Sequence, residues 1–337
     1  MSRHLEADDT GPTASLAALR LRARVLQRMR RLFEEHGYWE VQTPLLSVDT
    51  CVDAWIDPYA FPGIGPNGET CYLQTSPEFA MKRLLAAGAD AIYEITRSFR
   101  RGEAGIRHNP EFTMVEWYRA GDDHHAQMTY TEALVREAAS TEGVRAIQLP
   151  ADPFVRMTYD EAFERAVGTR VLERPTEDLI RLARRLDVPI PESLDPDDRD
   201  GWLNLLLALR VEPFLPSLGP VFLSDFPASQ AALAIVRPGP PPVAERFELY
   251  IDGLELCNGY HELADAAELT WRMQQQSARR VAAGKEALPV DSRLVRSLET
   301  GRFPPSAGVA LGFERLLMWL IGTQEIATVM AFPFSRA

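Results

Sequence analysis

The stretch "RHNPEFTMVEWYR", Arg107 to Arg119, alternates large apolar side chains with two carboxylates and a tyrosine. Successive side chains of a strand point to opposite faces, so Phe112, Met114, Glu116 and Tyr118 share one face. A strand that only covers a core keeps its polar residues on the solvent side, and this one does not. Rings interleaved with ionisable groups suit the wall of a cavity. A buried carboxylate without a partner is costly there, and a cation relieves the cost. A Gly-containing, arginine-rich loop, "FRRGEAGIR", leads into the strand.

The elements that must carry these residues follow from periodicity and breakers. "SLAALRLRARVLQRMRRLFEEHG" places Leu19, Leu26, Met29 and Phe33 near one helix face, and Gly37 stops the helix. "YWEVQTPLL" reads as a strand halted at Pro44, and "TCYLQTSPEFAMKRLLAAG" as strand, turn and helix. "AIYEITRSFRRGEAG" and "PEFTMVEWYRA" form a long antiparallel hairpin. Residues 129–215 are mostly helical with Pro-rich breaks and carry no chemical motif, as expected of a packing insertion. "PVFLSDFPASQAALA" resumes strand character, and "RFELYIDGLELCNGYHE" is a hairpin turning at Asp252 and Gly253. A polar helix follows, and "PPSAGVALGFERLLMWLIG" is a strand running into a helix. Hairpins separated by helices predict an α+β domain over residues 15–337 with an antiparallel sheet, preceded by a disordered tail over 1–14.

Composition narrows the setting. An apolar share of 46% in 337 residues supports a large core. Cys51, Cys71 and Cys257 are odd in number and far apart, which favours a reducing compartment, the cytoplasm, over disulfides or structural zinc. No apolar run is long enough for a membrane span. A net charge of −12 argues against a protein that coats nucleic acid. The neighbours His124 and His125 read as a solvated polar turn and receive no role.

Four separated segments together resemble the catalytic core of class II aminoacyl-tRNA synthetases, the lysyl branch in particular. "FEEHGYWEVQTP" is similar to the first class motif, "FRRGEAGIRHNPEFTMVEWY" to the second and "GVALGFERL" to the third. "ELYIDGLELCNGYHE" resembles the lysine- and metal-binding strands of lysyl-tRNA synthetases. The resemblance implies attack of an amino acid carboxylate on ATP to form an adenylate, with magnesium at the phosphates. Two anions must then be held together, which arginines and divalent cations make possible.

Carried onto this sequence, the resemblance makes Arg100 the contact for the α-phosphate and the incoming carboxylate. Arg107 and His108 fall near the outer phosphates, and Arg315 grips them from the other side. Phe112 stacks on adenine, Asn109 orders loop and nucleotide, and Leu256 and Gly312 complete the ATP site. Glu248 and Glu255, flanking the hairpin turn, hold magnesium. Glu116 receives the substrate's α-amino group, and Tyr118 with Glu262 receives the terminal ammonium. Ser76 and Glu78 add further contacts, Asn258 binds the carboxylate and Tyr260 lines the aliphatic stem. A carboxylate-rich pocket of this kind selects a diamino acid.

Two departures point away from the synthetases themselves. Only a tail and one helix precede "GYWEVQTP", leaving no room for an anticodon-binding barrel, and Ala310 stands where the third motif usually has a glycine. Both suit the short paralogues that form the elongation factor P lysine ligase family. That resemblance implies transfer of (R)-β-lysine, or less efficiently lysine, to a lysine side chain of elongation factor P, a protein shaped like tRNA. Gly102 occupies the usual position of the second motif's Glu, so Glu103 is expected to take that role. The alternatives are a minimal lysyl-tRNA synthetase, an amide synthetase, or an inactive regulatory paralogue. Intact Arg100, Arg315, Glu248 and Glu255 argue against the last. The motif around Phe33 to Pro44 implies a homodimer.

Overall fold

The computed structural model describes residues 10–337. Of the tail expected over 1–14, the first nine residues lie outside that range. Thr13 and Ala14 are tied down, their amides donating to the Ala331 and Met330 carbonyls, and Ala14 is buried. Helix α1 (Leu16–Glu35) starts on the Ser15 hydroxyl, which accepts from the Ala18 amide. Its buried stripe is Leu21, Val25, Met29 and Phe33. Met29 and Phe33 were expected there; Leu19 and Leu26 sit beside the stripe, because fourfold spacing advances slightly more than one turn per step. Gly37, at φ 78°, ends the helix.

The strand expected to halt at Pro44 in "YWEVQTPLL" is short, and a second one begins beyond the proline. β1 (Trp39–Glu40) pairs in parallel with residues 92–93, whereas β2 (Leu46–Ser47) joins β3 (Ala60–Phe61) and β4 (Cys71–Leu73) in a separate three-stranded sheet. Pro44, with no amide hydrogen to give to a ladder, lies at the break. Helix α2 (Glu78–Ala86) leads to the expected long hairpin of β5 (Ala91–Phe99) and β6 (Glu111–Ala120).

Helix α3 (His124–Ala139) belongs to the main core through Met128, Leu134 and Val135. The mostly helical stretch expected over 129–215 therefore starts within a helix of the main core, and it carries a strand. β7 (Val155–Thr158), α4 (Tyr159–Val167), α5 (Thr176–Arg185) and α6 (Arg199–Leu206) build a second apolar cluster around Phe163, Leu179 and Leu203. β8 (Val221–Pro227) pairs with β7 in parallel. Next come β9 (Val236–Arg237), β10 (Val243–Ile251) and β11 (Leu254–His261). Asp252 and Gly253 join the last two with φ of 50° and 76°, the left-handed pair a two-residue hairpin turn requires. Helices α7 (Ala266–Ala282) and α8 (Arg293–Leu298) precede β12 (Ser306–Gly312), which runs into α9 (Phe313–Ile321).

The nine-stranded sheet has the order β1-β5-β6-β12-β11-β10-β8-β7, with β9 added on β10. Every pairing is antiparallel except those of the outer strands β1 and β7. Helices α1, α3 and α9 cover the rear face with one apolar core, and α2, α7 and α8 flank the front. This is the expected α+β architecture. Among the described residues there is no separate barrel domain, and no helix is long and apolar enough to cross a membrane.

Candidate active site

Strand registers place the front-face side chains in rows. Glu116, Ala310, Asn258 and Glu248 lie side by side across four strands, and Tyr118, Gly308, Tyr260 and Arg246 form the next row. Strands about 4.8 Å apart separate Glu116 from Glu248 by roughly 14 Å, so the row has two distinct ends. Both rows line one cavity of about 890 Å³, and every residue given a role above lines it as well. Gly308 has no alternative, since a Cβ there would stand 2.2 Å from the Tyr118 ring.

One irregularity decides which side chains meet. Leu249 pairs with Cys257 and Tyr250 with Glu255, leaving Leu256 as an extra residue on β11. The bulge switches the parity of the strand. Glu255 therefore faces the cavity together with Asn258, Tyr260 and Glu262, while the Leu256 side chain packs in the rear core.

At one end sit the acids. The Glu116 carboxylate accepts from Ser76 Oγ at 2.8 Å and Tyr118 Oη at 2.5 Å. Burial pushes Glu116 up to about 8, and the neighbouring Glu78 adds to the push. Tyr118 thus bonds Glu116 with its hydroxyl and offers its ring toward Glu262 across Gly308. Lys82, a residue to which the sequence reading gave no role, lies 2.6 Å from Glu78 and 2.5 Å from Glu262. It is 2% exposed, and the two acids hold it protonated above the usual lysine range against the effect of burial. Lys82 and the backbone at Gly308 are the groups that stabilise the Glu262 carboxylate. Burial, partly offset by Lys82, pushes Glu262 up to about 8. Lys82 therefore offsets one of three carboxylates, and the pocket keeps an appetite for further ammonium groups.

At the other end sit the arginines. Arg100 lies 5.1 Å from the Phe112 ring centroid, and its Nη1 is 3.9 Å from Glu103. Gly102, at φ 84°, turns the loop left-handed between them, a conformation poorly suited to Glu. Arg315 donates to the Glu255 carbonyl at 3.0 Å and to its carboxylate at 3.3 Å. It also donates to His108 Nε2 at 2.8 Å, so that nitrogen is unprotonated. Burial and the Arg315 charge hold His108 below the usual histidine range. Arg107 bonds Gln324 at the exposed rim. Asn109 donates to the Glu111 carbonyl at 2.6 Å and accepts from the Phe334 amide at 2.9 Å, ordering the loop against the end of the chain.

Between the ends, Glu248 accepts from Arg246 Nη2 at 2.5 Å, Tyr250 Oη at 2.6 Å and Asn258 Nδ2 at 3.2 Å. Burial pushes its carboxyl up against the pull of Arg246, and the Glu255 charge adds to the push. Two carboxylates within electrostatic reach of each other and open to the cavity are hard oxygen donors that fit a magnesium ion. Arg246, like Lys82, was missed from sequence. Its signal was weak: it lies two residues before Glu248 on the same strand face, as Lys82 lies four after Glu78 on one helix face. The two histidines set aside as a solvated turn also differ, since His125 is exposed but His124 is 2% exposed, packed behind the sheet.

Residues 4–336 match the family of class II tRNA synthetases (D, K and N). The elongation factor P–(R)-β-lysine ligase of Vibrio cholerae serotype O1 is 43% identical over 335 residues, covering 98% of this chain and 99% of its own. Those of Vibrio vulnificus and Photobacterium profundum are each 42% identical, covering 98% and 97% of this chain and 99% and 98% of their own. The chain therefore belongs to the class II tRNA synthetases, in the branch of the elongation factor P–(R)-β-lysine ligases. Membership in this class implies the use of ATP.

Proposed function

We propose that this protein activates (R)-β-lysine, or lysine, with ATP and transfers it to a lysine side chain of elongation factor P. The observation that carries the reading is the polarity of one cavity, with buried Glu116 and Glu262 at one end and Arg100 and Arg315 at the other. A diamino acid spans such a site, its ammonium groups toward the acids and its carboxylate toward the arginines.

In the first step a carboxylate oxygen attacks the α-phosphorus of ATP and pyrophosphate leaves. In the second, the acceptor amine attacks the carbonyl carbon of the adenylate, an amide C–N bond forms, AMP leaves and the amine loses a proton. Arg100 steadies the charge gathering at the α-phosphate, and Glu103 holds Arg100 in place. Arg315, His108 and Arg107 meet the outer phosphates, Phe112 takes the adenine face, and Asn109, Gly312 and the backbone at Leu256 shape the nucleotide site. Glu248 and Glu255 would hold magnesium, which supplies neutralising charge at the phosphates. Glu116 and Ser76 take one amino group, while Glu262 with Glu78, and the ring of Tyr118, take the other. Asn258 holds the carboxylate and Tyr260 lines the stem.

Pairing of two copies through the first motif is part of the same reading. α1 spends its apolar stripe on its own core, so the exposed Trp39, Leu45 and Leu46 beside it are the surface that a second copy would cover. A monomeric mass at micromolar concentration in sedimentation would refute the pairing. The reaction itself is tested by incubating the protein with ATP and labelled lysine or (R)-β-lysine, with elongation factor P and tRNA offered in parallel. Label retained on elongation factor P supports the reading, and label retained on tRNA overturns it.

A further inference from the structure

Helix α3 begins behind the sheet, on the face away from the cavity. β10 and β11 send Arg246, Glu248, Asn258 and Tyr260 forward, and they send Glu245 and His261 to this rear side. His124, the first residue of α3, meets them. One ligand atom from each of the three lies within 4.8 Å of the others. His261 Nδ1 is 2.5 Å from Glu245 Oε2, His124 Nδ1 is 4.0 Å from the same oxygen, and the two imidazole rings are within 19° of parallel.

A second observation sets this group apart from a surface ion pair. His124 is 2% exposed, yet neither of its ring nitrogens has a hydrogen-bond partner. Buried polar atoms are normally satisfied, and an orphaned Nδ1 lying 4.0 Å from the Glu245 carboxylate, beside a second imidazole, asks for a ligand.

We propose that His124, Glu245 and His261 form a site for a divalent transition metal, zinc by its ligand chemistry, which clamps α3 to β10 and β11 behind the active site. Two imidazoles and a carboxylate are a common zinc donor set, leaving a fourth position for water. Tetrahedral bonds of about 2.0 Å set donors roughly 3.3 Å apart, so a bound ion would replace the His261–Glu245 hydrogen bond at 2.5 Å, releasing its proton, and draw in His124 from 4.0 Å, with all three donors already within 4.8 Å. The other Glu245 oxygen accepts from Arg237 at 3.1 Å, and Arg237 in turn holds Asp225 at 2.8 Å, an outer shell that fixes the carboxylate. The Arg237 charge and the start of α3 oppose a cation. Asp225, which keeps one buried oxygen unpartnered, and Asp123 at the helix cap offset them. His261 and Glu245 are partly exposed, which opens a path from solvent.

The test uses the untagged full chain, stripped with a chelator and then titrated with zinc against a chromophoric competitor. Cobalt in place of zinc reports the ligands through its visible absorption. One zinc per chain is expected, with affinity lowered at least tenfold by His261→Ala, Glu245→Gln and His124→Ala. Zinc should raise the melting temperature of the unaltered chain but not of His261→Ala. A Glu248→Gln/Glu255→Gln double variant should bind zinc as the unaltered chain does. If His124→Ala fails to fold, the two partly exposed positions carry the test. Absence of stoichiometric zinc, binding that survives both His261→Ala and Glu245→Gln, or binding lost only in the double variant would overturn the proposal.

Discussion

Binding of lysine or (R)-β-lysine should expel protons from this protein at neutral pH, because the acids proposed to receive the ammonium groups are buried. Burial, reinforced by Glu78, holds Glu116 at about 8 despite hydrogen bonds from Ser76 and Tyr118. At pH 7 a group at about 8 is roughly nine-tenths protonated. An ammonium ion pairs with the carboxylate and not with the acid, so its arrival expels close to one proton from Glu116. Glu262, also held at about 8 although Lys82 pulls it down, can add a second. The expected release is therefore roughly one to two protons per substrate at pH 7, vanishing above about pH 9. Isothermal titration calorimetry in buffers of different ionisation enthalpy measures it directly, as the slope of observed enthalpy against buffer enthalpy. Glu116→Gln, which keeps the shape, should lower the release by about one proton and weaken binding. A slope of zero at pH 7 in the unaltered protein would refute the reasoning, since both acids would then already be ionised. The same shifts set a stability trend. The folded chain holds these protons where the unfolded chain has lost them, so stability falls as pH rises from about 4.3 toward about 8 and levels off beyond.

Arg100→Ala should lose roughly 2 to 4 kcal/mol of transition-state stabilisation, seen as a collapse of lysine-dependent ATP–pyrophosphate exchange with the fold intact. Near-normal exchange would place the phosphate site elsewhere. Lys82→Met strands Glu78 and Glu262 and should cost about 3 to 5 kcal/mol in urea unfolding at pH 8, less at pH 6 where Glu262 takes up a proton. An unchanged midpoint at pH 8 would show that the pairing contributes nothing net. In Gly308→Ala the new methyl would meet the Tyr118 ring at 2.2 Å and Glu262 at 2.8 Å. The KM for the amino acid should rise several-fold with that for ATP nearly unchanged, and the opposite split would detach Tyr118 and Glu262 from the amino-acid end.

Much of the cavity's lining was legible because it is written in local patterns. Strand parity alone sends Phe112, Met114, Glu116 and Tyr118 to one side, and the Asp252–Gly253 turn brings Glu248 and Glu255 to facing strands. The order of the four motifs carried the family and with it the α+β core. Other features depend on partners distant in the chain, and no local pattern records them. Lys82 looks like an exposed helix cation until the residue after β11, Glu262, is brought against it. Strict alternation puts Glu255 on the opposite face from Asn258, and only the bulge at Leu256 reconciles them. Pro44 marks where the strand begun at Trp39 halts, but nothing local shows that Leu46 beyond it pairs in a different sheet. His124 reads as part of a wet turn and is buried because two strands from the other half of the chain close over it. Side-chain direction follows from backbone geometry over a few residues and is present in the sequence. Burial, and with it the charge and proton affinity of Glu116, Lys82 and His124, is set by what packs against them, which only the assembled sheet decides.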